Sequence, residues 1–97
     1  FRSCKSLTSV TIGSGVININ EQVFMDCSSL KYVYCKATIP PILEERYYGV
    51  FYNNASGRKI YVPASDDDSI INAYKSDWSG HKSSIYEYDF VNDVPIL

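Results

Sequence analysis

FRSCKSLTSVTI, residues 1–12, and FMDCSSLKYVYC, residues 24–35, are one pattern written twice, 23 residues apart. Phe1 matches Phe24, Cys4 matches Cys27, Ser6 matches Ser29, Leu7 matches Leu30 and Val10 matches Val33, while Ile12 stands where Cys35 stands. A fixed period of roughly 20–50 residues marks a chain built from stacked repeats. In each copy Phe, Cys and Leu recur every three positions, the spacing of a short helical or 3₁₀ turn with one face inward. Nine positions after each Phe comes Val10-Thr11-Ile12 or Val33-Tyr34-Cys35, which alternates in, out, in like a strand with one buried face. Neither half can bury its apolar face alone, and stacking neighbouring units solves that problem.

Applied again, the nine-residue rule takes Phe51 to Ile60-Tyr61-Val62, a third strand. Here Asn54 replaces Cys and Gly57 replaces Leu, so the turn is degenerate. The step from Phe24 to Phe51 is 27 residues, and the added length holds Pro40-Pro41, which breaks regular structure and directs a turn. Ile85-Tyr86 reads as a last strand, with no Phe at the proper distance to fix its register. Between them, Ile70, Ile71, Tyr74 and Trp78 fall on one helical face. The expectation is a helix over residues 66–78, with Ser65 as N-cap, Asp68 completing a capping box, and Ser79-Gly80 ending it. Such a helix would cap the last units, because a final strand otherwise leaves an open hydrogen-bonding edge. The expected layout is a repeat domain over residues 1–90, followed by residues 91–97 as a tail or the start of another strand. Within the domain the repeats are 1–23, 24–50 and 51–63, followed by the capping helix and last strand at 64–90.

The bulk properties narrow the function classes. With 97 residues, 45% of them hydrophobic, the chain can pack one small core. A net charge of -2 offers no basic surface to nucleic acid or to an anionic membrane. No apolar run is long enough to span a bilayer, and no signal peptide is visible. The chain starts at Phe1 without a Met, which suggests that its natural beginning lies upstream. Nine tyrosines against four phenylalanines and one tryptophan suit half-exposed strands and binding surfaces.

The unit Phe1-Arg2-Ser3-Cys4-Lys5-Ser6-Leu7-Thr8-Ser9-Val10-Thr11-Ile12 resembles the BspA-type leucine-rich repeats of bacterial and protist surface proteins. The stretch Ile60-Tyr61-Val62-Pro63-Ala64, with Asn72-Ala73-Tyr74-Lys75 and Asp77-Trp78, is similar to the C-terminal ending of such arrays in Bacteroides-like proteins. The resemblance covers roughly residues 1–88 and departs from the pattern at Asn54, Gly57 and Pro40-Pro41. It implies an α/β repeat fold, a leucine-rich-repeat solenoid of short parallel strands and helical turns with a C-terminal capping helix. It also implies secretion or surface attachment and a role in adhesion or partner binding, without a catalytic signature to carry over.

The residues that could carry chemistry have plainer readings. Cys4 and Cys27 hold the same place in adjacent units, within disulfide reach, yet parallel inward thiols stacked as a ladder explain them more simply. The single His81 has no cysteine pair near it to make a zinc site, and no motif around it to make a catalytic triad. Asp66-Asp67-Asp68 lacks the spacing of a calcium loop and suits a helix start. Glu44-Glu45 has no partner to form an acid/base pair, so a solvated turn is expected. Asn54-Ala55-Ser56 fits the N-glycosylation sequon. No cofactor is expected.

One outward strand position singles itself out. Thr11, Tyr34, Tyr61 and Tyr86 occupy the same slot in successive units, flanked by Tyr32 and Lys59, and should form a ladder across the exposed sheet face. Repeat proteins bind partners on such surfaces, and tyrosine is enriched at interfaces. The expected function is a non-catalytic surface binding or adhesion module that recognises a protein through this face. The alternatives are a structural spacer, or a carbohydrate-binding module sharing the exposed aromatics. The open edge ahead of the first strand is expected to support self-association.

Overall fold

A computed structural model describes residues 4–45 and 49–96. Phe1, the first member of the Phe repeat, lies outside the described residues. The chain runs through β1 (Ser9–Ile12), β2 (Asn18–Asn20), β3 (Tyr32–Cys35), β4 (Ile42–Glu44), β5 (Lys59–Pro63), α1 (Ser69–Asp77), a 3₁₀ helix (Ser79–Ser84), β6 (Ile85–Asp89) and β7 (Val94–Pro95). Strands β1, β3, β5 and β6 lie side by side in chain order and pair in parallel. Val10 sits opposite Val33, Val33 opposite Ile60 and Ile60 opposite Ile85. This pairing sets the register of the last strand, which the sequence left open. The steps are 23, 27 and 25 residues, and each step returns the chain to the same place in the sheet.

The turns before the strands close through bonds three residues apart: Leu7 N–H to the Cys4 carbonyl, Cys27 to Phe24, and Leu30 to Cys27. That is the 3₁₀ geometry the three-residue spacing predicts. The repeated Phe stacks from unit to unit, with the Phe24 and Phe51 rings 6.0 Å apart and nearly parallel. Behind the main sheet, β2 and β4 form a second parallel pair that the strand pattern did not anticipate. Their central residues, Ile19 and Leu43, face the shared core, while the neighbours on either side point outward. With one inward residue each, such short strands leave too little alternation to stand out in the sequence.

The helix is shorter than expected. Asp68 adopts a left-handed conformation (φ 60°), so α1 begins at Ser69 and Asp66, Asp67 and Asp68 all stay outside it. The capping box therefore does not form. Ser65 Oγ instead accepts the N–H of Ile70 at 3.2 Å, and Asp67 Oδ1 accepts the N–H of Ser69 at 3.0 Å. At the other end α1 stops at Asp77, but Ser79 and Gly80 do not break the helical path; they open the 3₁₀ helix. Tyr74 and Trp78 are fully buried and reach back across the fold. The Tyr74 hydroxyl donates to the Ala37 carbonyl at 2.5 Å, and the Trp78 indole N–H donates to the Pro41 carbonyl at 2.8 Å. The second proline of the inserted pair is thus an acceptor for the helix, besides shaping a turn.

α1 packs on β5 and β6, yet the free edge of β6 is met by a different element. β7 runs antiparallel along it, with Tyr88 opposite Pro95 and Asp89 opposite Val94. Of the two readings of residues 91–97, a tail or a further strand, Val94–Pro95 take the second and supply the edge strand, and the helix fills the layer behind the sheet. An edge strand carrying proline offers fewer donors to a further chain.

Candidate functional site

The outward row is formed as the spacing predicts: Thr11, Tyr34, Tyr61 and Tyr86 sit in register on β1, β3, β5 and β6. The Tyr34 and Tyr61 rings stack at 5.4 Å with 15° between their planes, and Tyr61 meets Tyr86 at 6.2 Å. Tyr32 stacks on Tyr34 at 6.5 Å. Across the pair from Tyr32, the Lys59 ammonium lies 5.6 Å from the centre of the Tyr86 ring.

Exposure along the row is uneven. Tyr86 and Tyr32 remain open, at 42% and 36%, but Tyr61 is only 8% exposed. The cause is Tyr88, whose ring lies 5.2 Å from both Tyr34 and Tyr61 and closes over the latter. Tyr88 belongs to the same face as Tyr86 because it follows two residues later on the strand. Tyr61 therefore presents little of its ring to solvent and packs beneath this face. Lys36 shares the face of Tyr34 by the same two-residue rule, and its ammonium sits 5.9 Å from the Phe90 ring centre.

Between β1 and the turn that follows β6 is a recess of about 470 Å³, lined by Thr11, Tyr34, Lys36, Tyr88, Phe90 and Asp93. It exists because Thr11 is small where the neighbouring units carry tyrosine. Phe90 and Asp93 reach it from a tight turn held by Asp89, whose carboxylate accepts the N–H groups of Val91 and Asn92, each at 3.0 Å. The Asn92 N–H foremost, then the Asn92 side-chain amide and the Val91 N–H, hold the Asp89 carboxyl below the usual range. Asp93 Oδ1 accepts the Tyr88 hydroxyl at 2.8 Å. That bond, with Asp93's negative charge, pushes the Tyr88 phenol up to about 12. Burial, and then the adjacent Tyr61, raise the Tyr34 phenol as well.

Of the residues predicted from sequence, Thr11 and Tyr34 line the recess, while Tyr32, Lys59 and Tyr86 form an open flank beside it. Lys36 and Tyr88 were within reach of the two-residue rule. Phe90 and Asp93 were not, because their position depends on how the last turn folds back.

Other candidates acquire partners that the sequence did not reveal. Glu45 is not a free carboxylate on a solvated turn: its Oε2 lies 3.3 Å from His81 Nε2 and accepts the Val50 N–H at 2.7 Å. His81 also meets Phe51 edge-on at 5.3 Å, so this pair fastens the 3₁₀ helix to the segment before Val50. Glu44 accepts from the Asn18 amide at 2.9 Å. Asn54 sends its amide to the carbonyls of Phe24 and Cys27, which turns the apparent degeneracy of that unit into a tie between units. Gly57 adopts φ +74°, a conformation a leucine would resist. No disulfide joins Cys4, Cys27 and Cys35. Burial raises the Cys35 thiol, although the Tyr74 hydroxyl 3.1 Å away partly offsets this. Among the described residues, no three His, Cys, Asp or Glu side chains converge on a point, and no helix is long and apolar enough to cross a membrane.

A family model described as BspA type Leucine rich repeat region (6 copies) matches residues 1–92. No curated protein matches the chain.

Proposed function

The chain belongs to the BspA-type leucine-rich-repeat family, and we propose that it acts there as a non-catalytic binding module of a secreted or cell-surface protein. Its repeats form a solenoid in this reading, and the face made by β1, β3, β5 and β6 recognises a protein partner. The observation that carries it is the aromatic platform. Tyr32 and Tyr86 are open, Tyr34 is half-buried, and Tyr61 and Tyr88 brace them from below and beside. Braced rings suit recognition because their contact area is large and little rotamer freedom is lost on binding. Lysines at either side add polar anchors to an otherwise aromatic surface.

The test is capture by the folded chain on an array of purified secreted and cell-surface proteins, run beside a glycan array. A protein captured by the wild-type chain and lost with Tyr34→Ser plus Tyr86→Ser, at unchanged circular dichroism, supports the reading. Capture indifferent to those tyrosines, or no capture at all, overturns it and leaves a spacer. Tyrosine-dependent binding confined to glycans overturns it in favour of carbohydrate recognition.

A further inference from the structure

The positions of the two lysines on this face define a spacing. Lys59 on β5 pairs with Tyr32 on β3, and Lys36 lies four residues beyond Tyr32 along the same line of chain. At ~3.3 Å per residue and ~4.8 Å between strands, the two lysine Cα atoms stand ~14 Å apart on the diagonal. Tyr34, half-buried, lies between them. Each ammonium is held near an aromatic ring, Lys36 by Phe90 and Lys59 by Tyr86, and among the described residues neither is paired with a carboxylate in a salt bridge.

The charge of the face runs against the charge of the chain. The protein carries -2 overall, yet this surface presents two cations. Asp93 is the acidic residue in the recess lining, and one of its oxygens is taken by the Tyr88 hydroxyl. Asp89 spends its carboxylate on its own turn. Glu87 stands between Tyr86 and Tyr88 on β6 and so points to the opposite side of the sheet.

We propose that this face takes an extended acidic peptide segment. Two carboxylate side chains four residues apart seat on Lys59 and Lys36, and the residue midway between them lies on Tyr34. In an extended chain, residues four apart are ~13 Å from one another and on the same face, which matches the lysine separation. Residues three apart would send the second carboxylate to the opposite side. The small Thr11 leaves the end of the track open, so the second carboxylate reaches Lys36 at the mouth of the recess, on the side away from Asp93. This inference rests on the reading of the face as a protein-binding surface and adds the chemistry of the partner.

Three capped peptides titrated into the 97-residue protein at low ionic strength test it. One carries two glutamates four residues apart around a central tyrosine, the second carries them three apart, and the third has glutamines in their place. The four-spaced peptide binds, the other two are at least about 5-fold weaker, and added salt weakens the first. Lys36→Met plus Lys59→Met lowers its affinity by about 10-fold. Both lysines are exposed, so the variants retain the fold, checked by the fluorescence of the buried Trp78. Equal binding of the glutamine or three-spaced peptide, insensitivity to the lysines, or no binding of the four-spaced peptide at millimolar concentration overturns the proposal. A captured protein that depends on Tyr34 and Tyr86 but ignores both lysines overturns the acidic segment alone. Capture indifferent to the tyrosines overturns the parent reading.

Discussion

The Asn54 side chain donates to the Phe24 carbonyl at 2.9 Å and to the Cys27 carbonyl at 3.2 Å, joining the third unit to the second. The position that looks like a lapse in the Phe-x-x-Cys pattern is a cross-link made of hydrogen bonds. Asn54→Ala removes the second donor from each carbonyl, leaving only the Cys27 and Leu30 backbone N–H groups, and should cost about 0.5–1.5 kcal/mol. Asn54→Asp removes the donor and turns a carboxylate toward the same carbonyls, so it should cost more than the alanine. Urea denaturation followed by tryptophan fluorescence measures both; an alanine variant as stable as wild type would refute the role.

Tyr74 reaches from α1 to the Ala37 carbonyl and lies 3.1 Å from the Cys35 sulfur. Tyr74→Phe keeps the ring and strands a buried carbonyl, with an expected loss of about 1–2 kcal/mol. The midpoint should fall by about 4–8 °C per kcal/mol for a domain of this size. Trp78 is the single tryptophan and is fully buried, so thermal melts read by its emission report on this layer.

Alkaline pH should act on the recess through Tyr88. Its folded value, near 12, is above the ordinary 10.0, because Asp93 accepts the hydroxyl proton and repels the phenolate. The contribution to stability is therefore complete below pH 10 and is lost as pH rises toward 12. Asp93→Asn should bring the Tyr88 ionisation back toward the ordinary range, seen in the ring carbon shifts of labelled tyrosine. An unmoved Tyr88 titration would show that Asp93 is not the cause.

Thiol reactivity should separate the three cysteines. Cys27 and Cys35 are fully buried, whereas Cys4 is partly exposed. A disulfide-exchange reagent should label one thiol quickly in the native protein and all three in denaturant. Rapid native labelling of Cys35 would contradict its burial beside Tyr74.

The outer edge of β1 should make the 97-residue chain associate. Beside it lies an apolar opening of about 210 Å³ lined by residues such as Val10, Ile12, Val16, Ile19 and Phe24. An unpaired strand edge next to apolar surface favours stacking with another copy. Light scattering across a dilution series should show mass rising with concentration; a constant monomer would count against it.

The sequence by itself determined the repeat and the register of its first three strands in the main sheet. Phe24 and Phe51 mark the units, and the alternation of Val33-Tyr34-Cys35 and Ile60-Tyr61-Val62 assigns faces, because successive side chains of a strand point to opposite sides of the sheet. It also located the tyrosine row, since side chains at one repeat position must fall in line. Tertiary structure decided the rest. Tyr61 is covered because Tyr88 leans over it, and Phe90 and Asp93 enter the recess because the turn at Asp89 folds back on the sheet. Asn54, Glu45 and Pro41 gain their partners from segments 27 to 37 residues away. No local pattern encodes such contacts: they depend on where the stacked units bring distant backbone carbonyls and side chains, and only packing fixes that.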